Sequence, residues 1–381
     1  MDVRHCCNCG KYKYIVKNGR CNNCIINTEI YFGHDDSNTE IMLDKNKLYR
    51  NINIIGNMNT GKTKMIKNVF TQVKNESGLI YFDFLNKIDK NTFDTSCEYI
   101  TLDNDRVFGL LDMKSHSNTN NLGKLSAFIC ETIENECGCK FSSEDLNMLN
   151  ELVLFLLASK NHNNFSDISN GVNDIEARKN IINSSNRNIN NKKYLKKFQL
   201  YEFDISIMKE IHTLSYELDN TPHDKISFKN IINNNENIII KFDQNKSPRI
   251  IPFLTTLFIN EFYMNLKLTN NPEDNKFTIV FDKLGVLKDY LSQLEPLYRH
   301  SRHLKLSIIN IIEFPNIINK IILHNIETNI IYRLNNSEDK QYIQSFIMNK
   351  MSNNYISKLE NNKYIFDSGQ MTRYNCEIRD I

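Results

Sequence analysis

Short runs of consecutive apolar residues, most ending in a polar or acidic residue, alternate along the chain with stretches of helical spacing. Ile52-Asn53-Ile54-Ile55, Gly78-Leu79-Ile80-Tyr81-Phe82-Asp83-Phe84, Asn237-Ile238-Ile239-Ile240-Lys241-Phe242-Asp243 and Lys276-Phe277-Thr278-Ile279-Val280-Phe281-Asp282 begin the series. Leu304 to Glu313 and Thr328 to Leu334 continue it. Apolar runs of this length without strict alternation predict strands covered on both faces, as in a parallel sheet between layers of helices. Helical spacing marks Lys64 to Lys74, Leu122 to Ala158, Ile250 to Leu268 and the stretch from Asn335-Asn336-Ser337-Glu338 through Phe346. Within Leu122 to Ala158, Leu125, Phe128, Ile129 and Ile133 share one face, and Leu146, Leu149, Leu152, Val153, Leu156 and Leu157 another. Glu29 to Gly33 and Glu40 to Asp44, split by the polar turn His34 to Asn38, predict an edge hairpin; Tyr364 to Tyr374 predicts a final one. The expected class is α/β, with a central, mostly parallel sheet over residues 28–381. An Asn-rich insertion is expected at about 159–230, helical over that wider span. From Asn161 to Lys197 it reads as loop-rich or partly disordered, because 161–191 holds few large apolar residues.

The bulk numbers narrow the function. With 381 residues the chain can bury a substantial core, and its formal net charge is +2, so no whole-protein basic field announces nucleic acid. Any such contact is local. The abundant asparagines, as in Asn233-Asn234-Asn235, read as the bias of an AT-rich coding source, a virus or mobile element. No signal peptide is evident, and the longest apolar runs, such as Leu152 to Ala158, are too short to span a bilayer. A soluble, cytoplasmic protein is expected. In that setting ten cysteines argue for metal or free thiols rather than disulfides.

Four of those cysteines are spaced for a metal. Cys6-x2-Cys9 and Cys21-x2-Cys24 form two knuckles, each aiming two sulfurs at one point, which is what tetrahedral Zn²⁺ in a closed structural ribbon requires. Cys7 is a spare. The expected ribbon spans residues 1–27 and docks a partner or nucleic acid, with Lys11, Lys13, Lys17 and Arg20 as contacts or as an ordinary solvated face. Cys137-x-Cys139 has no second pair nearby and reads as ordinary thiols.

Gly56-Asn57-Met58-Asn59-Thr60-Gly61-Lys62-Thr63 follows the Ile52 strand and opens a helix, which is the pattern of a P-loop. Glycines at both ends let backbone N–H groups turn inward on a polyphosphate. Lys62 then reaches the β- and γ-phosphates, Thr63 offers a hydroxyl to Mg²⁺, and the helix N-terminus adds partial positive charge. ATP and Mg²⁺ are the expected ligands. Asp282, at a strand end downstream of the loop, suits the second requirement, an aspartate holding the Mg²⁺ shell. Asp83 is either a ligand group at another strand end or a cap for the next turn. Lys192-Lys193-Tyr194-Leu195-Lys196-Lys197 is a compact basic cluster, read as a nucleic-acid contact or a solvated helix start.

The order of these pieces from about residue 28 to the end resembles the FtsK/HerA superfamily of P-loop DNA-translocating ATPases, which includes conjugative coupling proteins and viral genome-packaging ATPases. The likeness is carried by Leu48 to Gly56, Tyr81-Phe82-Asp83, Phe277 to Leu287, Arg299 to Pro315 and Asn329 to Phe346. It implies a RecA-like P-loop core and ATP hydrolysis in a homo-oligomeric, hexameric ring coupled to movement on double-stranded DNA without sequence reading. An arginine from one subunit would approach the γ-phosphate of the next. Arg302 is the matching residue, with Arg299 and Arg333 as further candidates. Two positions depart from the family. Lys283 stands where a water-polarising Glu is usual, and Glu313 stands where an amide is usual. Either Glu313 takes over the base role, or Lys283 and Glu313 form an ion pair in a weakly hydrolysing protein. The rivals are a nucleotide-dependent scaffold recruiting partners through the ribbon, and an NTPase acting on RNA or protein.

Overall fold

The computed structural model describes residues 3–5, 12–17, 20–21, 29–74, 76–89, 92–93, 97–101, 119–159, 165–187, 192–218, 226–242, 249–268, 276–318, 320–346, 353–369 and 371–378. Cys6, Cys7, Cys9 and Cys24 lie outside these residues, and Cys21 is described by its backbone alone. At the N-terminus β1 (Val3–His5), β2 (Tyr12–Lys17) and β3 (Arg20–Cys21) form a small antiparallel sheet. The expected hairpin follows as β4 (Glu29–His34) and β5 (Glu40–Asp44).

The core alternates strands and helices. β6 (Ile52–Ile55) leads into α1 (Lys62–Val73), then β7 (Gly78–Asp83) and β8 (Glu98–Thr101). A helical unit comes next: α2 (Thr119–Cys137), α3 (Ser143–Leu157), α4 (Phe165–Asn173), α5 (Ile175–Ser184), α6 (Lys192–Gln199), α7 (Ile205–Leu218) and α8 (Phe228–Asn234). The chain then returns through β9 (Asn237–Lys241), α9 (Ile250–Leu268), β10 (Phe277–Asp282), α10 (Glu295–His300), β11 (Leu306–Ile312) and β12 (Thr328–Tyr332). It ends with α11 (Ser337–Phe346), α12 (Asn353–Lys358) and the hairpin β13 (Tyr364–Asp367) to β14 (Thr372–Cys376).

Nine strands form one sheet in the order β14-β13-β12-β6-β11-β10-β7-β9-β8. From β12 to β8 all neighbours run parallel, while β13 and β14 are antiparallel at one edge. The parallel strands are buried along nearly their whole length, as their predominantly Ile, Val and Phe content requires. One face packs against Met65, Ile66, Val69 and Phe70 of α1, together with Ile30, Phe32, Ile41 and Leu43 of the hairpin. The other face carries α9, α10 and the helical unit. Burying each of those α1 side chains contributes roughly 1.5–3 kcal/mol, so the phosphate-loop helix is anchored by its apolar stripe.

Residues 161–191 do not bear out a loop-rich reading where they are described. α4 and α5 form there because Phe165, Ile168, Val172 and Ile181 are buried in the core while the asparagines cover the outside. Gly138, at φ 62, ends the α2 stretch, and Ser142 caps α3 by accepting the Asp145 N–H at 3.0 Å. Among the described residues, no helix is long and apolar enough to cross a membrane.

A charged cluster ties the helical unit to the strand layer. Arg249, just before α9, lies 3.6 Å from Glu136 of α2, 3.6 Å from Glu210 and 3.4 Å from Glu217 of α7. The Tyr290 hydroxyl donates to Glu136. Burial, opposed by that hydrogen bond and by Arg249, pushes the Glu136 carboxyl up to about 7 from its ordinary 4.5. Between those values the folded chain holds a proton that the unfolded chain has released, so this group's contribution to stability falls as pH rises through that window. Thermal melts at pH 5 and pH 8 should show a larger loss for the native chain than for Glu136→Gln, which has no proton to lose; equal losses would contradict this.

Candidate functional site

Parallel pairing brings the candidate residues to one end of the sheet. The registers Asp282↔Asp83, Asp282↔Ile311 and Ile312↔Ile55 align the C-terminal ends of β10, β7, β11 and β6. Gly56 donates its N–H to Ile312 O at 3.0 Å, and Asn57 donates to Arg333 O at 3.1 Å, so the loop emerges pinned between β11 and β12. A Cβ on Gly56 would sit 2.6 Å from Tyr332 Cβ, too close for any larger residue. Gly61 has φ 104, a conformation open to glycine, and precedes α1 without capping it through a side chain. Gly61 thus offers no side chain to the first N–H groups of α1, which point toward the loop.

Lys62, Thr63, Met58, Asn59, Thr60 and Gly61 line a cleft of about 340 Å³ together with Lys87, Asp282, Lys283 and Glu313. Lys62 is buried and donates to Gly56 O at 2.8 Å and to Asn57 O at 2.5 Å, folded back on its own loop. Burial, opposed by Glu313 and Asp282, lowers its ammonium to about 8. Thr60 Oγ1 donates to Asn57 O at 2.8 Å, and Asn57 Oδ1 accepts the Asn335 N–H at 2.9 Å. These bonds tie the loop to itself and to the segment after β12.

Across the cleft, Asp282 accepts the Tyr81 hydroxyl at 2.9 Å. Burial raises its carboxyl above the ordinary value, against the pull of Tyr81 and Lys62. A divalent cation suits such a group, since it replaces the lost hydration with charge. Thr63 and Asp282 both face this space, so their donor set fits Mg²⁺. Lys283 sits at φ 70 and places its Nζ 3.1 Å from Glu313 Oε2, so the two residues that depart from the family pattern form an ion pair within the cleft. Glu313 follows β11, the strand directly beside β10.

The remaining candidates separate. Asp83 is fully buried and accepts the N–H groups of Lys87 at 3.0 Å and Ile88 at 2.7 Å, which makes it the cap of the next turn. Arg299, at the end of α10, and Arg302, in the turn before β11, are exposed at the opposite end of that strand from Glu313, and Arg299 pairs with Glu295. Seven strand residues separate the turn from the cleft, about 23 Å at ~3.3 Å each. They cannot serve the cleft of their own chain. Arg333 follows β12 beside Asn57, and its Nε is buried without a hydrogen-bond partner among the described residues. Cys137 is half-buried, with burial raising its thiol, and no group of three metal-ligating side chains occurs among the described residues. Lys192 to Lys197 open and nearly fill α6, and Lys197 pairs with Glu144 at 2.7 Å. Tyr81 and Asn335 were missed in the sequence. Tyr81 lies two residues before Asp83, hence on the same strand face, and alternation alone marks it.

No protein-family model matches the sequence, and no curated protein does. Solved structures do match. VirB4 of Thermoanaerobacter pseudethanolicus superposes with a TM-score of 0.66 at 12% identity, over 93% of this chain and 97% of that one. The bacterial conjugative coupling protein TrwB, unbound, gives 0.63 at 10% identity over 92% and 90%. TrwB in complex with ADP and Mg²⁺ gives 0.63 at 8% identity over 94% and 93%. The chain has the fold of these structures, among them a conjugative coupling protein, one of the groups that the resemblance named.

Proposed function

We propose that this chain is an ATP-driven motor of the FtsK/HerA type that assembles as a ring and moves along or packages double-stranded DNA. One observation carries the reading: Lys62, Thr63, Asp282 and Glu313 line a single cleft at the ends of parallel strands, in a fold shared with a protein that has been seen with ADP and Mg²⁺. In the proposed mechanism the N–H groups from Gly56 to Thr63 cradle the phosphates, and Lys62 leaves its loop carbonyls for the β- and γ-phosphate oxygens. Mg²⁺ held near Thr63 and Asp282 would neutralise charge between those phosphates. Glu313 orients a water for attack on the γ-phosphorus and accepts its proton, giving ADP and inorganic phosphate. Arg302 of a neighbouring copy supplies positive charge to the transferring group.

The Lys283 to Glu313 ion pair favours a second reading. A carboxylate engaged by an ammonium is not free to position a water, and the protein would then bind ATP, assemble and recruit partners with little hydrolysis. Glu313→Gln separates the two. The motor reading expects turnover to fall by roughly 10²–10⁴-fold with Mg·ATP affinity kept within a few fold. Unchanged turnover, in a protein that Lys62→Ala inactivates, would remove Glu313 from the chemistry and leave the scaffold. DNA contact would come from basic loops gripping phosphates without reading bases.

Residues 1–27 are proposed as a zinc ribbon with Cys6, Cys9, Cys21 and Cys24 as ligands, docking a protein partner. The strands β1 to β3 support it, because Cys6 follows β1 directly and Cys21 ends β3 within the same small sheet. Metal analysis should find one Zn²⁺ per chain, lost in Cys21→Ser while ATP binding persists; zinc-free native protein would contradict the ribbon.

A further inference from the structure

Asn53 of β6, Asn310 of β11 and Asn329 of β12 stand abreast across three adjacent parallel strands. Their side chains join in one chain of hydrogen bonds. The Tyr298 hydroxyl of α10 donates to Asn310 Oδ1 at 2.6 Å, Asn310 Nδ2 donates to Asn53 Oδ1 at 2.9 Å, and Asn53 Nδ2 donates to Asn329 Oδ1 at 3.2 Å. All four residues are buried, and their neighbours on this face, Ile55, Ile308, Ile312 and Ile331, are apolar. Amides placed there are tolerable only when each finds its partner, and bonds all running in one direction polarise one another.

A second fastening lies at the start of β6. Asn51, at φ 60, donates to Ser301 Oγ and Asn325 O, both at 3.0 Å, and accepts the Ile308 N–H at 3.0 Å. Ser301 Oγ in turn donates to Tyr298 O at 2.9 Å. The first fastening ends at Tyr298 in the last turn of α10 and the second reaches Ser301 just after it, so both meet the junction of α10 with the turn that follows, where Arg299, His300, Arg302 and His303 are exposed. In the other direction, Asn53 lies three residues before Gly56 and Asn310 three before Glu313, about 10 Å along each strand at ~3.3 Å per residue. The ladder thus sets the relative height of the strands whose tips form the phosphate loop and carry Glu313.

We infer that the Tyr298–Asn310–Asn53–Asn329 ladder is a positioning device that couples the exposed basic turn Arg299–His303 to the nucleotide cleft at the far end of the sheet. The inference rests on the nucleotide-site reading and adds to it a route by which a neighbouring copy, engaging the turn, alters affinity for ATP. Displacing the turn draws Tyr298 from Asn310, leaves a buried acceptor short of its donor, and releases the β11 and β6 tips from one another. By linkage the effect is reciprocal: nucleotide in the cleft stabilises the turn.

Amide hydrogen exchange on the full chain tests this, at a dilution where copies do not associate, with and without a saturating non-hydrolysable ATP analogue and Mg²⁺. In the native protein the analogue should slow exchange at 56–63 and, by about 5-fold, at 298–303. Tyr298→Phe keeps the ring and its packing; it should retain protection at 56–63 and lose it at 298–303, with the analogue bound about 5-fold more weakly. Tyr263→Phe is the control, since Tyr263 Oη bonds His300 Nδ1 at 2.6 Å in the same turn but lies outside the ladder; it should leave the coupling intact. Transmission persisting in Tyr298→Phe, or protection confined to 56–63 in the native protein, overturns the ladder alone. Absence of protection at both segments overturns the nucleotide site and the ladder together.

Discussion

Lys62→Ala is expected to weaken Mg·ATP binding by at least ~100-fold and to abolish turnover, the size seen when one charged donor is removed from a preorganised phosphate or oxyanion site. The ammonium sits at the mouth of the N-terminal end of α1, in a cleft where Asp282 and Glu313 are the nearby carboxylates. Burial makes its charge costly to maintain, and a bound polyphosphate removes that cost, so much of the binding energy is concentrated at this one group. Among the described residues it donates to Gly56 O and Asn57 O, main-chain acceptors at the edge of the cleft. Truncation should therefore leave the melting temperature nearly unchanged while calorimetric titration loses its signal. A variant that still binds ATP with native affinity would show that the loop is a strand-to-helix turn and nothing more.

Arg178→Met is expected to cost about 3–5 kcal/mol, because it leaves several buried main-chain carbonyls without a donor at roughly 1–3 kcal/mol each. Arg178 is 1% exposed in α5, and its guanidinium satisfies main-chain carbonyls from two helix ends. Nε donates to Gly171 O at 2.7 Å and Nη2 to Val172 O at 3.1 Å, at the end of α4. Nη1 donates to Phe198 O at 3.2 Å, to Gln199 O at 3.4 Å and to Tyr201 O at 2.6 Å, at the end of α6. Helix C-termini leave carbonyls without partners and carry partial negative charge, so one planar cation serves both ends. The rings of Phe198 and Phe203, 5.9 Å and 5.2 Å from the guanidinium carbon, add cation–π attraction. Arg178→Lys should recover little, because a single ammonium cannot span both helix ends. Denaturant titration with exchange read over 165–203 checks this, and a loss below about 1 kcal/mol for Arg178→Met would contradict it.

The strands were legible because burial on both faces writes itself as runs in which apolar residues predominate without strict alternation. Ile52 to Ile55 and Phe277 to Asp282 needed no tertiary information, and α9 occupies the very stretch, Ile250 to Leu268, that its spacing marked. The P-loop was legible for a different reason: its glycines answer a local backbone demand, seen in the φ of Gly61 and the contact of Gly56 with Tyr332. Two kinds of feature stayed hidden. α4 and α5 bury only Phe165, Ile168, Val172 and Ile181 as large apolar side chains, too few to stand out among asparagines, and they depend on Arg178, whose partners lie up to 23 residues away. The ladder asparagines were hidden by abundance. In a chain so rich in Asn, Asn53, Asn310 and Asn329 look like composition, and only the strand order, which sets β6 between β11 and β12, gives them a shared purpose. Lys283 and Glu313 were conspicuous as departures, and the ion pair offered for them as one of two alternatives is present, brought about by the pairing of β10 with β11 and the left-handed backbone at Lys283.

The central claim is that a triphosphate is held between Gly56 and Thr63, facing Asp282, and that its hydrolysis drives movement on duplex DNA. Steady-state ATP turnover by the full chain at millimolar Mg²⁺, with and without double-stranded DNA, tests it most directly. The account predicts turnover that rises with protein concentration as copies assemble and rises further on adding DNA. Nucleotide binding without turnover under either condition would contradict the motor.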